Sequence, residues 1–157
     1  LPASRLAALW IVAGAFVVWS VLRQPTCQGP AGAGFAGAVL LLGVAYGTVD
    51  GLLLSVLPVA AVRRATQDAA WASRPAGRAA VVLLALLASA VVTAAYHLGY
   101  PEFRGPAVVG PIVGCTAMSL AYALARNPLA AVLSHVAMHI AAVLHGIDST
   151  VQLPPHG

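Results

Sequence analysis

Apolar residues fall into five runs, separated by short stretches that hold most of the arginines, prolines and acids. The runs are Leu6–Leu22, Ala33–Val62, Ala79–Gly99, Val108–Ala125 and Leu129–His145. A helix that spans the hydrocarbon core of a bilayer needs about 20 mostly apolar residues, and each run is of that order. The pattern predicts an all-α fold, a polytopic transmembrane helix bundle of about five spans, with residues 1–157 as a single integral-membrane domain. The second run is long enough to tilt or kink, and Pro58 is its natural kink site because proline removes a helical hydrogen bond.

Composition supports the same class. Hydrophobic residues make up 61% of the chain and charged residues 8%, against about 25% charged in a soluble domain, so this chain has too little polar surface to face water. The eight basic residues are all arginine and face four acids. They lie in the gaps between apolar runs, which speaks against a nucleic-acid partner. The N-inside arrangement puts Arg5, Arg63, Arg64, Arg74, Arg78 and Arg126 in the cytoplasm and leaves Arg23 and Arg104 outside. By the positive-inside rule this predicts a multi-pass protein of the inner (plasma) membrane with an extracytoplasmic C-terminus. Glu102, Asp148 and the segment Pro154-Pro155-His156 fall outside. Trp10 and Trp19 fit interfacial belts. The segment 63–78 reads as a basic loop that either lies on an anionic leaflet or is merely solvated.

The chain begins at Leu1 rather than at a methionine, as expected of a processed chain or of a fragment whose further helices are missing. The first run has no strong cleavage site after it and precedes four similar runs, so it reads as a span rather than a signal peptide. Cys27 falls in a loop and Cys115 inside a helix, which argues against a disulfide between them.

Few polar residues interrupt the apolar runs, and those few carry the candidate chemistry. Gly43, Gly47 and Gly51 form a small-residue stripe that allows close helix approach, and Asp50 shares that face. A carboxyl at this depth costs several kcal/mol unless protonated or paired, which marks it as a functional or a paired group. Ser89, Thr93 and His97 make one polar stripe on the third helix, with Tyr96 and Tyr100 beside it. His135 and His139 are four apart on the fifth, so both imidazoles lie on one face and can grip one metal ion. No Glu follows the first of them, so this is not a zincin helix. At a rise of ~1.5 Å per residue, Asp50 and His139 both fall ~15–18 Å from the cytoplasmic boundary, with His97 nearer the outer face. Asp50 and His139 are therefore expected to meet, with His97 or His135 as a third member.

The order of these residues resembles the CPBP family, the CAAX-protease and bacteriocin-processing intramembrane proteins. Thr93-Ala-Ala-Tyr-His97 is similar to the family's F-x-x-x-H motif. His135-Val-Ala-Met-His139, led by Ala125-Arg126-Asn127-Pro128-Leu129, is similar to its H-x-x-x-N/D motif. The likeness runs from about Gly47 to Gly146. The family's E-E-x-x-x-R motif is matched only by Asp50, with Leu54 where the arginine would stand. The resemblance implies a divergent or inactive intramembrane metalloprotease. In it Asp50 and His97 would activate water, His135 and His139 would stabilise the oxyanion, and a Zn²⁺ would be a possible cofactor. A second reading is a non-catalytic subunit of a larger respiratory or photosynthetic membrane complex, packed against partner transmembrane helices. There the histidines would ligate haem or another tetrapyrrole, with small alanines four residues before His135 and His145 admitting the macrocycle. A transporter lacks the internal repeats and the length.

Overall fold

The structure, a computed structural model, describes residues 3–26 and 32–146. Cys27, Asp148 and His156 lie outside the described residues, as do the expectations that rest on them. Five helices make the body: α1 Ala3–Leu22, α2 Gly34–Thr66, α3 Pro75–His97, α4 Val109–Ala125 and α5 Leu129–His145. Short 3₁₀ turns at Ala70–Ser73, Pro101–Phe103 and Pro106–Val108 sit in the connections, and no strand occurs among the described residues.

The distribution of side chains is inverted relative to a water-soluble domain. Asp50, Ser55, Ser89, Thr93, Ser119, Ser134, His135 and His139 are buried, whereas Leu40, Leu41, Leu83, Leu87, Val91 and Leu144 point outward. An exterior of this kind is stable against lipid tails and not against water. Three helices are long and apolar enough to cross a membrane: Gly34–Thr66, Pro75–His97 and Pro106–Ala125. The apolar parts of α1 (Trp10–Leu22) and α5 (Leu129–His145) are shorter.

α5 is the inner helix, packed against α1, α2 and α4, while α3 packs against α2 and α4. The α2–α5 contact rests on the glycine stripe. A Cβ at Gly43 would come within 2.8 Å of Ile140, one at Gly47 within 2.9 Å of the Val136 backbone, and one at Gly51 within 2.9 Å of the Val132 backbone. Partners descend by four as the glycines ascend by four, the signature of an antiparallel pair in near backbone contact. The stripe thus meets a helix of the same chain.

α2 is not a uniform α-helix. Val39–Tyr46 and Gly51–Val56 are wound with the wider i→i+5 pattern, and Gly47–Asp50 between them is α-helical. Pro58 explains part of this. It has no N–H to give to the carbonyl four residues back, and its ring crowds that carbonyl. The carbonyl belongs to Leu54, and it accepts a hydrogen bond from the Ser89 hydroxyl of α3 at 2.7 Å. Ser119 of α4 completes the set, with its hydroxyl 2.7 Å from that of Ser89. The released backbone acceptor is therefore satisfied by a side chain of α3, itself bonded to one of α4, as a dry interior requires.

Helix ends differ from those expected. α2 continues four residues beyond Val62 to Thr66 and carries Arg63 and Arg64 within its last turn. α3 starts at Pro75 rather than Ala79, because proline's fixed φ suits the first helical position. Half of the basic segment 63–78 is α-helix, belonging to the ends of α2 and α3, with the 3₁₀ turn and exposed Trp71 between. Between α4 and α5 the chain reverses through Arg126 in the left-handed region (φ 56°), and Asn127 Oδ1 accepts the Leu129 N–H at 3.0 Å.

Candidate functional site

Asp50 lies on the α-helical turn between the two wide segments of α2, one residue before Gly51. The glycine stripe draws α5 so near that the imidazole of His139 meets the carboxyl directly. The His139 Nε2–H donates to Asp50 Oδ2 at 3.2 Å, with both side chains about nine-tenths buried. That bond assigns the proton to Nε2 and leaves Nδ1 as the basic nitrogen. The second carboxyl oxygen, Oδ1, is buried and has no hydrogen-bond partner among the described residues. A buried acceptor left unpaired costs on the order of 1–3 kcal/mol, so Oδ1 is the least satisfied polar atom of the pair.

The pair opens onto a cavity of about 580 Å³, which Asp50, His97, His135 and His139 all line. Each of the other two histidines has one ring nitrogen committed to its own helix. His97 Nδ1–H donates to the Thr93 carbonyl at 2.9 Å, and His135 Nδ1–H to the Ala131 carbonyl at 3.1 Å. Both therefore present a bare Nε2. That of His135 is 3.6 Å from the Cys115 thiol of α4 and so accepts from its S–H. His97 is surrounded by rings: Tyr96, Tyr100 and Phe103 have centroids at 5.3, 6.0 and 5.1 Å from its own.

Three tyrosine hydroxyls converge on the same cavity. Tyr46 of α2 bonds to Tyr96 and, at 3.0 Å, to Tyr100, and the Tyr100 hydroxyl donates to that of Tyr96 at 3.1 Å. The ring of Tyr46 meets His139 edge-on at 5.4 Å, which couples the hydroxyl triangle to the Asp–His pair by packing. Tyr46 and Cys115 were not singled out from the sequence. Tyr46 is four residues before Asp50, so helical spacing alone places it on the Asp50 face. Nothing local marks Cys115, whose partner His135 is twenty residues away on another helix.

Two expectations meet a different local arrangement. The resemblance pairs Asp50 with His97, yet the carboxyl bonds His139, because the glycine contact brings α5 rather than α3 against it. The four-residue metal set of Asp50, His97, His135 and His139 is also not assembled. A zinc site takes at least three protein ligands at ~2.0–2.3 Å, and among the described residues no three His, Cys, Asp or Glu side chains are grouped to hold an ion. His139 Nε2 faces the carboxyl and His135 Nε2 faces a thiol, so as folded the donor set does not fit zinc. Ala131, the small residue four before His135, is fully buried in a cluster with Val59, Ala85 and Tyr122. His145 stands apart from the cavity, its Nε2–H donating to the Gln24 carbonyl at 2.9 Å.

Comparisons with family models, with curated proteins and with solved structures return no match to this chain.

Proposed function

We propose that this is a five-span membrane protein whose cavity is an intramembrane hydrolytic site of divergent CPBP type, working on an acyl bond drawn into the bundle. The observation that carries the reading is the Asp50–His139 hydrogen bond, buried between two helices and lining the cavity. A carboxylate that accepts the imidazole Nε2–H fixes the ring, leaves Nδ1 as base and stabilises the imidazolium that forms when a proton arrives. In this scheme the base removes a proton from water, the hydroxide adds to the acyl carbon, and the same proton passes to the departing amine. A carboxylic acid and an amine result, and His139 returns to its neutral form. The bare Nε2 of His97 supplies a second acceptor on the cavity wall to hold the water.

The same reading sets α1 and α5 across the membrane with the three longer helices, in the inner (plasma) membrane. The N-terminal end and the arginine-rich connections face the cytoplasm. α5 is short for a span at ~25 Å, and it is the helix most enclosed by the others, which makes a short hydrophobic length acceptable.

The test is cleavage of transmembrane-segment peptides co-reconstituted in liposomes, read by mass spectrometry as new termini. Wild-type protein is expected to generate them. Asp50→Asn and His139→Ala are each expected to lower the rate by ~10²–10⁴, and the double variant to lower it little further, because the two side chains act as one unit. Cleavage that survives both substitutions, or none with wild-type protein, would overturn the reading.

A further inference from the structure

The hydrolytic scheme leaves a buried thiol and a buried imidazole idle. Cys115 of α4 and His135 of α5 meet inside the bundle, Sγ to Nε2 at 3.6 Å, and both side chains are buried. His135 Nδ1–H is held by the Ala131 carbonyl, so Nε2 carries the lone pair that the thiol meets. The soft atoms of the chain collect around this contact. The sequence contains two methionines, Met118 and Met138, and both pack in the cluster that holds Cys115. Each follows a member of the pair by three residues, Met118 after Cys115 and Met138 after His135, which puts it on the same helix face. All four side chains line the cavity. Thr93 of α3 adds a hydroxyl beside Cys115 that is fully buried and has no hydrogen-bond partner among the described residues.

We infer that Cys115, His135 and a thioether of Met118 or Met138 bind a cuprous ion, which takes the place of the thiol proton between sulfur and nitrogen. Thiolate and thioether donors select Cu(I), and imidazole suits copper as well. Metal–nitrogen and metal–sulfur bonds of ~2.0 and ~2.3 Å span the observed 3.6 Å at an angle of ~115°. The two atoms thus already stand at the separation of ligands that share one ion. On binding, the S–H bond breaks, a Cu–S bond forms, and the proton leaves through the cavity to water. Charge favours the monovalent ion. Cu⁺ with one thiolate and neutral partners is neutral overall, whereas Zn²⁺ would leave a net positive charge in a dry interior, where it is costly. Asp50, the acid on the same cavity, is already bonded to His139. The Thr93 O–H can donate to the thiolate, which satisfies a hydroxyl that is otherwise buried without a partner. Cys115 and His135 offer no open surface to a bulky ligand, and a bare ion lodged within their contact requires none. This site goes beyond the hydrolytic reading and does not depend on turnover.

The test is competition for Cu(I) against bicinchoninate, run anaerobically under ascorbate with the full chain in phosphatidylcholine nanodiscs. One ion per chain is expected, with sulfur and nitrogen neighbours in the copper X-ray absorption spectrum, and Zn²⁺ is expected not to displace it. Thr93→Val is expected to weaken the site ~10–100-fold, as loss of a hydrogen bond to a metal ligand does. The double variant Met118→Leu, Met138→Leu keeps the packing volume and removes both thioethers. It is expected to lower the affinity at least roughly tenfold, since a lost ligand costs no less than a lost outer partner. Cys115→Ser is expected to abolish uptake and Cys27→Ala to leave it unchanged. No uptake by the wild-type protein, a copper shell of nitrogen and oxygen alone, or full affinity in the double methionine variant would overturn the inference. So would uptake that survives Cys115→Ser and is lost in Cys27→Ala. The wild-type spectrum decides the matter even should Cys115→Ser fail to fold.

Discussion

At the scale of single residues, the exchange between Pro58, Leu54 and Ser89 shows how a sequence defect becomes a tertiary contact. Proline takes away the donor that the Leu54 carbonyl would have used, and Ser89 replaces it from α3. Removing the Ser89 hydroxyl by Ser89→Ala leaves that carbonyl unpaired in a dry interior and is expected to cost about 1–3 kcal/mol. In a Pro58→Ala background the helix can supply its own N–H, so the same change should cost distinctly less. A thermal-unfolding cycle of the two single variants and the double variant measures this; strict additivity would show that the serine acts elsewhere. The proline itself was legible in the sequence as a helix irregularity. Its partner was not, because a serine in an alanine- and leucine-rich helix carries no sign of which carbonyl it will meet. Asp50 and His139 were more legible, since equal depth on facing helices nearly determines contact. The Tyr46–Tyr96–Tyr100 triangle depends on rotamers and on how far α3 leans toward α2, and spacing along the chain contains neither.

At the scale of elements, α2 and α5 form the rigid pair on which the site is built. The glycine stripe announced a close contact, and the structure supplies its partner in Val132, Val136 and Ile140. Of the three stripe glycines Gly47 is the most sensitive, because a Cβ there would meet two backbone atoms, the Val136 Cα at 2.9 Å and the His135 carbonyl at 3.1 Å. Neither can swing aside as a side chain would. Gly47→Ala is therefore expected to destabilise the protein by about 1–3 kcal/mol and to separate Asp50 from His139. Thermal unfolding in detergent reads the first effect, and loss of peptide cleavage out of proportion to the stability loss reads the second. An unchanged melting temperature would show that the pair has slack. The i→i+5 winding on either side of Asp50 was not legible. Wide turns leave the apolar pattern of a uniformly hydrophobic helix unchanged, so hydropathy is silent about them, although such turns are frequent at functional sites.

At the scale of the whole molecule, most of the arginines collect at one end, with Arg23 and Arg104 at the other. Arg63, Arg64, Arg74, Arg78 and Arg126 lie in or beside the α2–α3 and α4–α5 connections, and the exposed end of the cavity, at Gln24, Ala107 and Val109, is the opposite one. Under the proposed topology, which sets the arginine-rich end in the cytoplasm, a ligand would reach Asp50 from outside the cell. A cysteine placed at Glu102 should react with a membrane-impermeant maleimide on intact cells, and one at Arg74 only after lysis. The reverse pattern would invert both the topology and the side of entry. The helical class was legible from the five apolar runs, and three of the helices are long and apolar enough to cross a membrane. The number of crossings is harder to read, since α1 and α5 owe their place to being enclosed as much as to their length.

The contact between α2 and α5 also bears on biogenesis. When α2 leaves the insertion machinery it carries a carboxyl, an unpaired Leu54 carbonyl and three bare glycines, none yet answered. α3 silences the carbonyl first. The carboxyl and the glycines must wait for α5, the most C-terminal helix described, which delivers His139 and the backbone that fills the stripe. A chain halted between α3 and α5 therefore displays an intramembrane acid beside an uncovered groove, the kind of feature by which membrane quality control can tell an unfinished protein from a finished one.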